Sequence, residues 1–495
     1  MRPGMHVPVI IALTCLAAIF SLGANPETQK SLAIDHVIII DVTGGSELTD
    51  QTVIITGPSI VAVAKSGSAQ IPKDAQQIDG RGKFLIPGLW DMHTHVAGIN
   101  ANPKWAKQTL LPLLVANGIT GIRDMGGDLD ALETWRREIE NGSLIGPRIV
   151  AAGPMLLPAR QAGAPPAPAD PAILRVGTPA ESRAAVDELQ KRGADFIKVI
   201  EASRENYFAI ADESKKDSIP FAGHVPSDVT ATEASNAGQK SIEHIIYSSL
   251  AFDCSAQGDE LRKKRREASS TPDDQVVADI TDEANRTFSA EKAAALWQVF
   301  QKNGTWVTPT LFSIWVNAHQ LEDSPNDPQL AYLPASLNKE WTPAKNPTQD
   351  DLDTVAWWQR QFENDRKLVG EMHRAGVPML AGSDSLDRYN FVGSSLHREL
   401  QMLVGAGFTP LEALQTATLN PAEFLAIAKS GRISAGYRAD MVLLDGDPTK
   451  DITNTGKIAA VFLHGRFLPR EELDAMLTKA RTAATAIPPV TTDAK

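Results

Sequence analysis

From residue 84 onward, short apolar segments rich in β-branched residues alternate with helical stretches, and this alternation constrains the fold more than any other feature. The segments are 84–95, 118–124, 147–153, 194–200, 220–226, 240–246, 305–311 and 378–384, many beginning just after Gly or Pro. Helical stretches such as 178–192 and 229–238 lie between them. Parallel strands need crossovers of this kind, and eight β/α units predict an α/β fold, a closed (β/α)8 or TIM barrel.

Both ends of the chain carry further strand signals. Residues 33–42, 52–55 and 60–63 precede the alternating region, and 441–444 and 459–463 follow a helical stretch at 409–429. The expected organisation is a barrel over 84–429, with long insertions at 251–304 and 312–370, and a small β-sandwich built from 25–83 and 430–475. Insertions beside a barrel mouth act as lids or substrate walls, or they are decoration packed outside. A flexible tail is expected over 476–495, on its Ala, Thr and Pro content.

Residues 1–24 read as a signal peptide: Arg2, an apolar stretch from Val7 to Phe20, then small residues up to Ala24. An uncleaved anchor is the alternative, since the apolar run nears the length of a spanning helix. Cleavage near Ala24 predicts a periplasmic or secreted protein with no stable membrane insertion. It would leave Cys254 as the one cysteine, so no internal disulfide could form. The formal net charge of -12 argues against nucleic acid as a partner, since phosphates call for basic patches. Homo-oligomer formation is left open.

In a barrel the chemistry lies on the rim where the strands end. The first strand ends in Leu89-Trp90-Asp91-Met92-His93-Thr94-His95. Residues two apart share a face, so His93 and His95 can meet one metal ion together. Later strand ends supply Lys198, His224, His244 and Asp384; four of the chain's 10 histidines fall in these positions. Singly, each has a bland reading: a hydrogen-bonded structural histidine for His224 or His244, a helix cap for Asp384. Lys198 sits in Phe196-Ile197-Lys198-Val199-Ile200. A buried amine there loses its proton and can take up carbon dioxide as a carbamate, or it pairs with Asp195 or Glu201, or reaches solvent. Together the six offer neutral nitrogens and hard oxygens, a set suited to zinc or a similar divalent ion.

These motifs, with Gly223-His224-Val225-Pro226, Ile242-Glu243-His244, Gly382-Ser383-Asp384, Leu396-His397-Arg398-Glu399-Leu400 and Gly431-Arg432-Ile433, resemble the amidohydrolase superfamily. Within it the chain is most similar to the imidazolonepropionase-like and Xaa-Pro dipeptidase-like group. The resemblance implies two divalent metal ions, zinc first among candidates. His93, His95 and Asp384 would hold one, and His224 and His244 the other, with carboxylated Lys198 bridging. It implies amide hydrolysis by a metal-bridged hydroxide, with Asp384 taking the proton and returning it to the leaving nitrogen.

A small amide or peptide-like substrate follows, such as an N-acyl amino acid or a dipeptide. The chain departs from the group at 157–166, where a glycine-histidine segment is replaced by Leu157-Pro158-Ala159-Arg160-Gln161, and this weakens the dipeptide option. Arg160, Tyr247 and His397 are candidates to meet a substrate carboxylate. The rival readings are a hydrolase of a cyclic amide, lactone or other ester, and a metal-loaded binding protein without turnover.

Overall fold

The computed structural model describes residues 30–487 except 45, 99–101, 161–168, 249, 269–273, 323–326 and 342–345. The expected signal peptide lies outside the described residues, and so does most of the segment 157–166. Among the described residues no helix is long and apolar enough to cross a membrane.

Strands from the two ends of the chain share one eight-stranded sheet. Met441–Leu444 runs antiparallel to Phe84–Pro87, with Met441 opposite Pro87 and Leu444 opposite Phe84. Phe84–Pro87 in turn lies parallel to Leu32–Ile40. Alternate apolar residues from both ends, among them Ile34, Val53, Leu85, Met441 and Phe462, bury a common core on this sheet.

The segment expected as one strand over 84–95 is two. Phe84–Pro87 belongs to the terminal sheet, and Leu89–Thr94 opens a separate parallel one. The break falls at Gly88, where a Cβ would sit 2.1 Å from Thr120 Oγ1. Only a residue without a side chain lets the chain cross there.

Leu89–Thr94, Ile119–Asp124 and Arg148–Ala151 form a three-stranded parallel sheet. Ile197–Val199, Phe221–Gly223, Ser241–Glu243 and Trp306–Thr308 follow as parallel neighbours in a second sheet. Hydrogen bonds link the two. Asp195 N donates to Ala151 O (2.9 Å), Leu380 N to Val307 O (3.0 Å) and Met92 N to Ala381 O (2.9 Å). The eighth segment, 378–384, is therefore wedged between Trp306–Thr308 and Leu89–Thr94, although it is too irregular to form a named strand. The arrangement is a barrel-like α/β fold.

Helices cover it. Thr178 caps Pro179–Lys191 with a capping box completed by Glu181. The helix expected over 409–429 is two, Pro410–Thr416 and Leu419–Phe424, parted where Ala417 and Thr418 leave helical geometry. The tail expected to be flexible from residue 476 is helical as far as Thr485. The helix Arg470–Thr485 buries Leu473, Met476, Ala480 and Ala484, a spacing that gives one apolar face.

Candidate active site

The six side chains singled out from the sequence lie in or just after the parallel barrel segments. His93 lies in Leu89–Thr94 with His95 just after it, and Lys198 is the middle residue of Ile197–Val199. His224 follows Phe221–Gly223, and His244 follows Ser241–Glu243. His93 Nε2 and His95 Nε2 lie 3.3 and 3.4 Å from the same oxygen, Asp384 Oδ1. Candidate ligand atoms of these three residues all fall within 4.8 Å of one another. The His244 ring is centred 4.7 Å from His93 and 5.0 Å from His224.

Backbone strain and close packing hold the rim in shape. His244, Thr310 and Asp384 adopt left-handed φ of 59°, 48° and 56°. Each such residue costs on the order of 1 kcal/mol and persists only where its surroundings enforce it, commonly at functional sites. Here Asp384 N donates to His93 O (2.7 Å) and His244 N to Thr308 O (2.9 Å). Gly223, with φ 134°, passes so near the next strand that a Cβ would lie 2.0 Å from Val199 O. Asp91 shares the first strand with His93 but braces the eighth segment, accepting from Ser383 N (2.9 Å) and Ser383 Oγ (2.6 Å).

The electrostatics favour ligand-ready groups. Burial and then the Lys198 charge push His93 and His224 well below the usual imidazole range. Burial lowers His244 to about 4. Burial opposes charge on His95 too, but the bond and charge of Asp384 outweigh it and raise that pKa. Burial also opposes ionisation of Asp384, yet the imidazoles of His244, His93 and His95 hold its carboxyl well below the carboxylate range. Lys198 is fully buried, and burial drags its amine down to about 8. His93 Nε2 and Lys198 Nζ are both buried without a hydrogen-bond partner. Orphaned buried nitrogens are costly and call for explanation. Neutral imidazoles, a carboxylate and an amine able to shed its proton are a donor set that fits divalent metal ions.

Two further residues emerge only from the fold. His93 Nδ1 bonds Glu243 Oε2 at 2.9 Å, and His95 Nδ1 bonds the Gly126 carbonyl at 3.1 Å. Each bond fixes its ring and turns Nε2 toward Asp384. Glu243 is itself clamped by Arg123 Nη2, 2.9 Å from both carboxylate oxygens, and by Ser241 Oγ. Arg123 and Glu243 are both buried. Outer partners of ligating histidines typically carry 10–100-fold in metal affinity, and Glu243→Gln is expected to weaken metal binding by about that factor. The variant also leaves Arg123 without its carboxylate, so its melting temperature should fall. Chelator competition measures the first effect and circular dichroism the second; native metal affinity would remove Glu243 from the orienting role.

Glu399 is the second. It lies buried behind the rim and accepts from Phe312 N (2.7 Å) at the start of the helix Leu311–Ala318, whose Ser313 Oγ donates to Asp384 Oδ2 (3.1 Å). Burial lifts Glu399 to about 8, against the backbone N–H groups of Phe312 and Leu311 that favour its charge. The folded chain thus keeps a proton that the unfolded chain sheds near 4.5, and stability drains away as pH rises from about 4.5 to about 8. Glu399→Gln is expected to flatten that decline in melting temperature. An unchanged slope would show that Glu399 ionises freely in the folded chain.

The substrate candidates separate. Tyr247 is 42% exposed and stacks on His224 at 5.7 Å, edge-on to His244 at 5.2 Å. Trp358, from the second long insertion, stands 6.3 Å from it, so part of that insertion walls the rim. Arg160 is exposed beside the undescribed segment 161–168. His397 is a correction. It is buried, with Nδ1 on Thr455 Oγ1 (3.0 Å) and Nε2 on the Asn117 carbonyl (3.1 Å). Asn117 precedes the strand Ile119–Asp124, so His397 lies toward the strand starts with both nitrogens engaged.

A model of the amidohydrolase family matches residues 84–468. Ochratoxinase of Aspergillus niger is 23% identical over 470 residues, which covers 83% of this chain and 81% of that protein. Adenine deaminase of Methanothrix thermoacetophila is 26% identical over 104 residues, so the chain spans 18% of its length. Among solved structures, a Xaa-Pro dipeptidase with bound methionine in the active site matches with a TM-score of 0.65 at 20% identity, over 89% of this chain and 100% of that one.

Proposed function

We propose, from the premise that this chain belongs to the amidohydrolase family and is a hydrolase acting on carbon–nitrogen bonds, that it cleaves an acyclic amide in an N-acyl amino acid or dipeptide. The observation that carries this reading is the convergence of His93, His95, His224, His244 and Asp384, with Lys198 close enough for its charge to act on His93, His224 and Asp384, and with His93 Nε2 and Lys198 Nζ buried without a hydrogen-bond partner. His93, His95 and Asp384 would hold one divalent metal ion, zinc by the donor set, and His224 and His244 a second, with Lys198 as its carbamate between them. Such ions supply an acidified water and a polarised carbonyl when bound.

The chain's own groups do the rest. Asp384 is ionised near neutral pH and, among the described residues, is the one carboxylate that faces His93, His95 and His244 together, so it accepts the proton of the attacking water and passes it to the leaving nitrogen. Ser313 keeps that carboxylate turned inward. Glu243 and the Gly126 carbonyl hold His93 and His95 in the required tautomers. The exposed phenol of Tyr247 meets the substrate over the two histidines it packs against, and the neighbouring Trp358 favours an apolar acyl group or side chain. Arg160 is the candidate for a substrate carboxylate.

We read the fold as a closed (β/α)8 barrel that opens at Leu89 and runs to about 429, carrying a small β-sandwich from the segments on either side of it, Phe84–Pro87 included. The hydrogen bonds that lead from Leu89–Thr94 through the parallel strands and back to Met92 support that reading. We also assign the protein to the periplasm or exterior on its leader-like residues 1–24; a mature N-terminus near Asn25 would support this, and an intact N-terminus in the cytoplasmic fraction would refute it.

The test is a screen of purified, zinc-reconstituted protein against N-acyl amino acids, dipeptides, cyclic amides and lactones. Turnover of the first two classes, abolished by a chelator and restored by zinc, is the expected result. Turnover confined to lactones or cyclic amides would move the substrate class, and metal uptake with no turnover in any class would favour a binding protein.

A further inference from the structure

The barrel strands begin at the end of the molecule opposite Asp384, and a cavity of about 660 Å³ opens there. Arg148 begins the strand Arg148–Ala151, Lys240 precedes Ser241–Glu243, and Phe196 precedes Ile197–Val199; all three line it. One wall is apolar, formed by Ile149, Phe196, Phe424, Leu425 and Ile427.

The same cavity is also lined by basic side chains. Arg148, Arg438, Lys240 and Arg137 line the cavity, and among the described residues none of the four makes an ion pair. Of the cavity's acidic groups, Glu133 and Asp195 are both taken by Arg136, which leaves Glu140. Lys240 Nζ rests over the Phe424 ring, 5.6 Å from its centre. Arg438 Nε and His464 Nε2 are buried without any hydrogen-bond partner. Burial, and then the charge of Arg438, hold Arg148 below the usual arginine range, and the charges of Asp440 and Glu140 do not make up the difference, so two guanidinium groups lie near one another. Buried nitrogens such as these are costly without an acceptor, and a bound anion would supply one. Arginine is also the side chain best shaped for a carboxylate, which it grips with two parallel bonds.

We infer that this cavity binds a small carboxylate with an aromatic or aliphatic body, at a site separate from the histidine rim. The guanidinium groups take the carboxylate and the wall around Phe196 and Phe424 takes the body. An inorganic anion would satisfy the charges but leave that wall wet, and an amine would meet the wrong sign. The site does not depend on the hydrolytic reading, because none of its residues belongs to the six on the other rim.

Calorimetric titration of the zinc-loaded full chain tests it. Phenylacetate and octanoate serve as probes, with inorganic phosphate and phenethylamine as controls. At least one carboxylate probe is expected to bind saturably with a Kd below about 1 mM. Binding should weaken about tenfold or more in Arg438→Gln, and stay unchanged in Asp384→Asn. If circular dichroism shows Arg438→Gln to be misfolded, Lys240→Met at an exposed position replaces it with the same expectation. Three results would overturn the inference: no saturable binding of either carboxylate, phosphate binding as tightly as the organic acids, or binding lost in Asp384→Asn and kept in the cavity variant.

Discussion

Asp384→Asn is expected to reduce turnover of the preferred amide by about 10²–10⁴-fold, the usual worth of a positioned general acid–base group. One oxygen of Asp384 faces the Nε2 atoms of His93 and His95, and the other accepts from Ser313 and faces His244 at 3.9 Å. Asparagine keeps the shape and one acceptor, but it can neither take up a proton nor hand one on. Its charge is lost as well, and with it the force that lifts the pKa of His95. The measurement pairs steady-state rates with metal content on the same sample. A rate within threefold of the parent, with metal retained, would end the proposed proton-transfer role.

Lys198→Met should act in opposite directions on activity and on stability. In the metal-free chain Lys198 is a buried cation without a partner, and burial lowers its pKa to about 8 from 10.5. Below pH 8 both folded and unfolded chains hold that proton, so the folded state bears the full penalty; between about 8 and 10.5 the penalty lifts as the folded amine deprotonates first. The cost is about 3 kcal/mol. Methionine matches the volume and removes the charge, so the metal-free variant should melt higher than the parent at neutral pH. On the proposed two-ion site, the zinc-reconstituted variant should bind one metal ion fewer than the parent and lose most of its activity. Lower stability of the metal-free variant would mean that Lys198 is paired. Full activity would exclude a bridging carbamate.

The sequence exposed the chemistry of the rim more fully than its support. The six rim residues could be read because each lies inside or at the end of an apolar run, where a polar side chain has few other reasons to be. Arg123 and Glu243 offered a similar signal, opposite charges inside two apolar strands, but pairing them required knowing that both strands face the same interior. A motif on a helix carries no sign of which end of the barrel it faces, and His397 lies toward the strand starts with both nitrogens engaged. The division at Gly88 was hidden since both flanking runs are apolar, and only the side chain of Thr120, distant in sequence, forces the break. In Arg470–Thr485 the abundance of Ala and Thr obscured a helical spacing of Leu473, Met476, Ala480 and Ala484.

The shared terminal sheet has a consequence for how this molecule is made. Phe84–Pro87 leaves the ribosome well before the neighbour it pairs with, Met441–Leu444, and all the barrel strands are synthesised between the two. Until then one edge of that strand has bare amides and carbonyls, and closing so long a loop is slow. The nascent polypeptide must therefore leave that edge unpaired until Met441–Leu444 has emerged. Shortening it at the carboxyl end removes the partner of its early strands, so the truncated product is a chain for chaperones and proteases rather than a weaker catalyst.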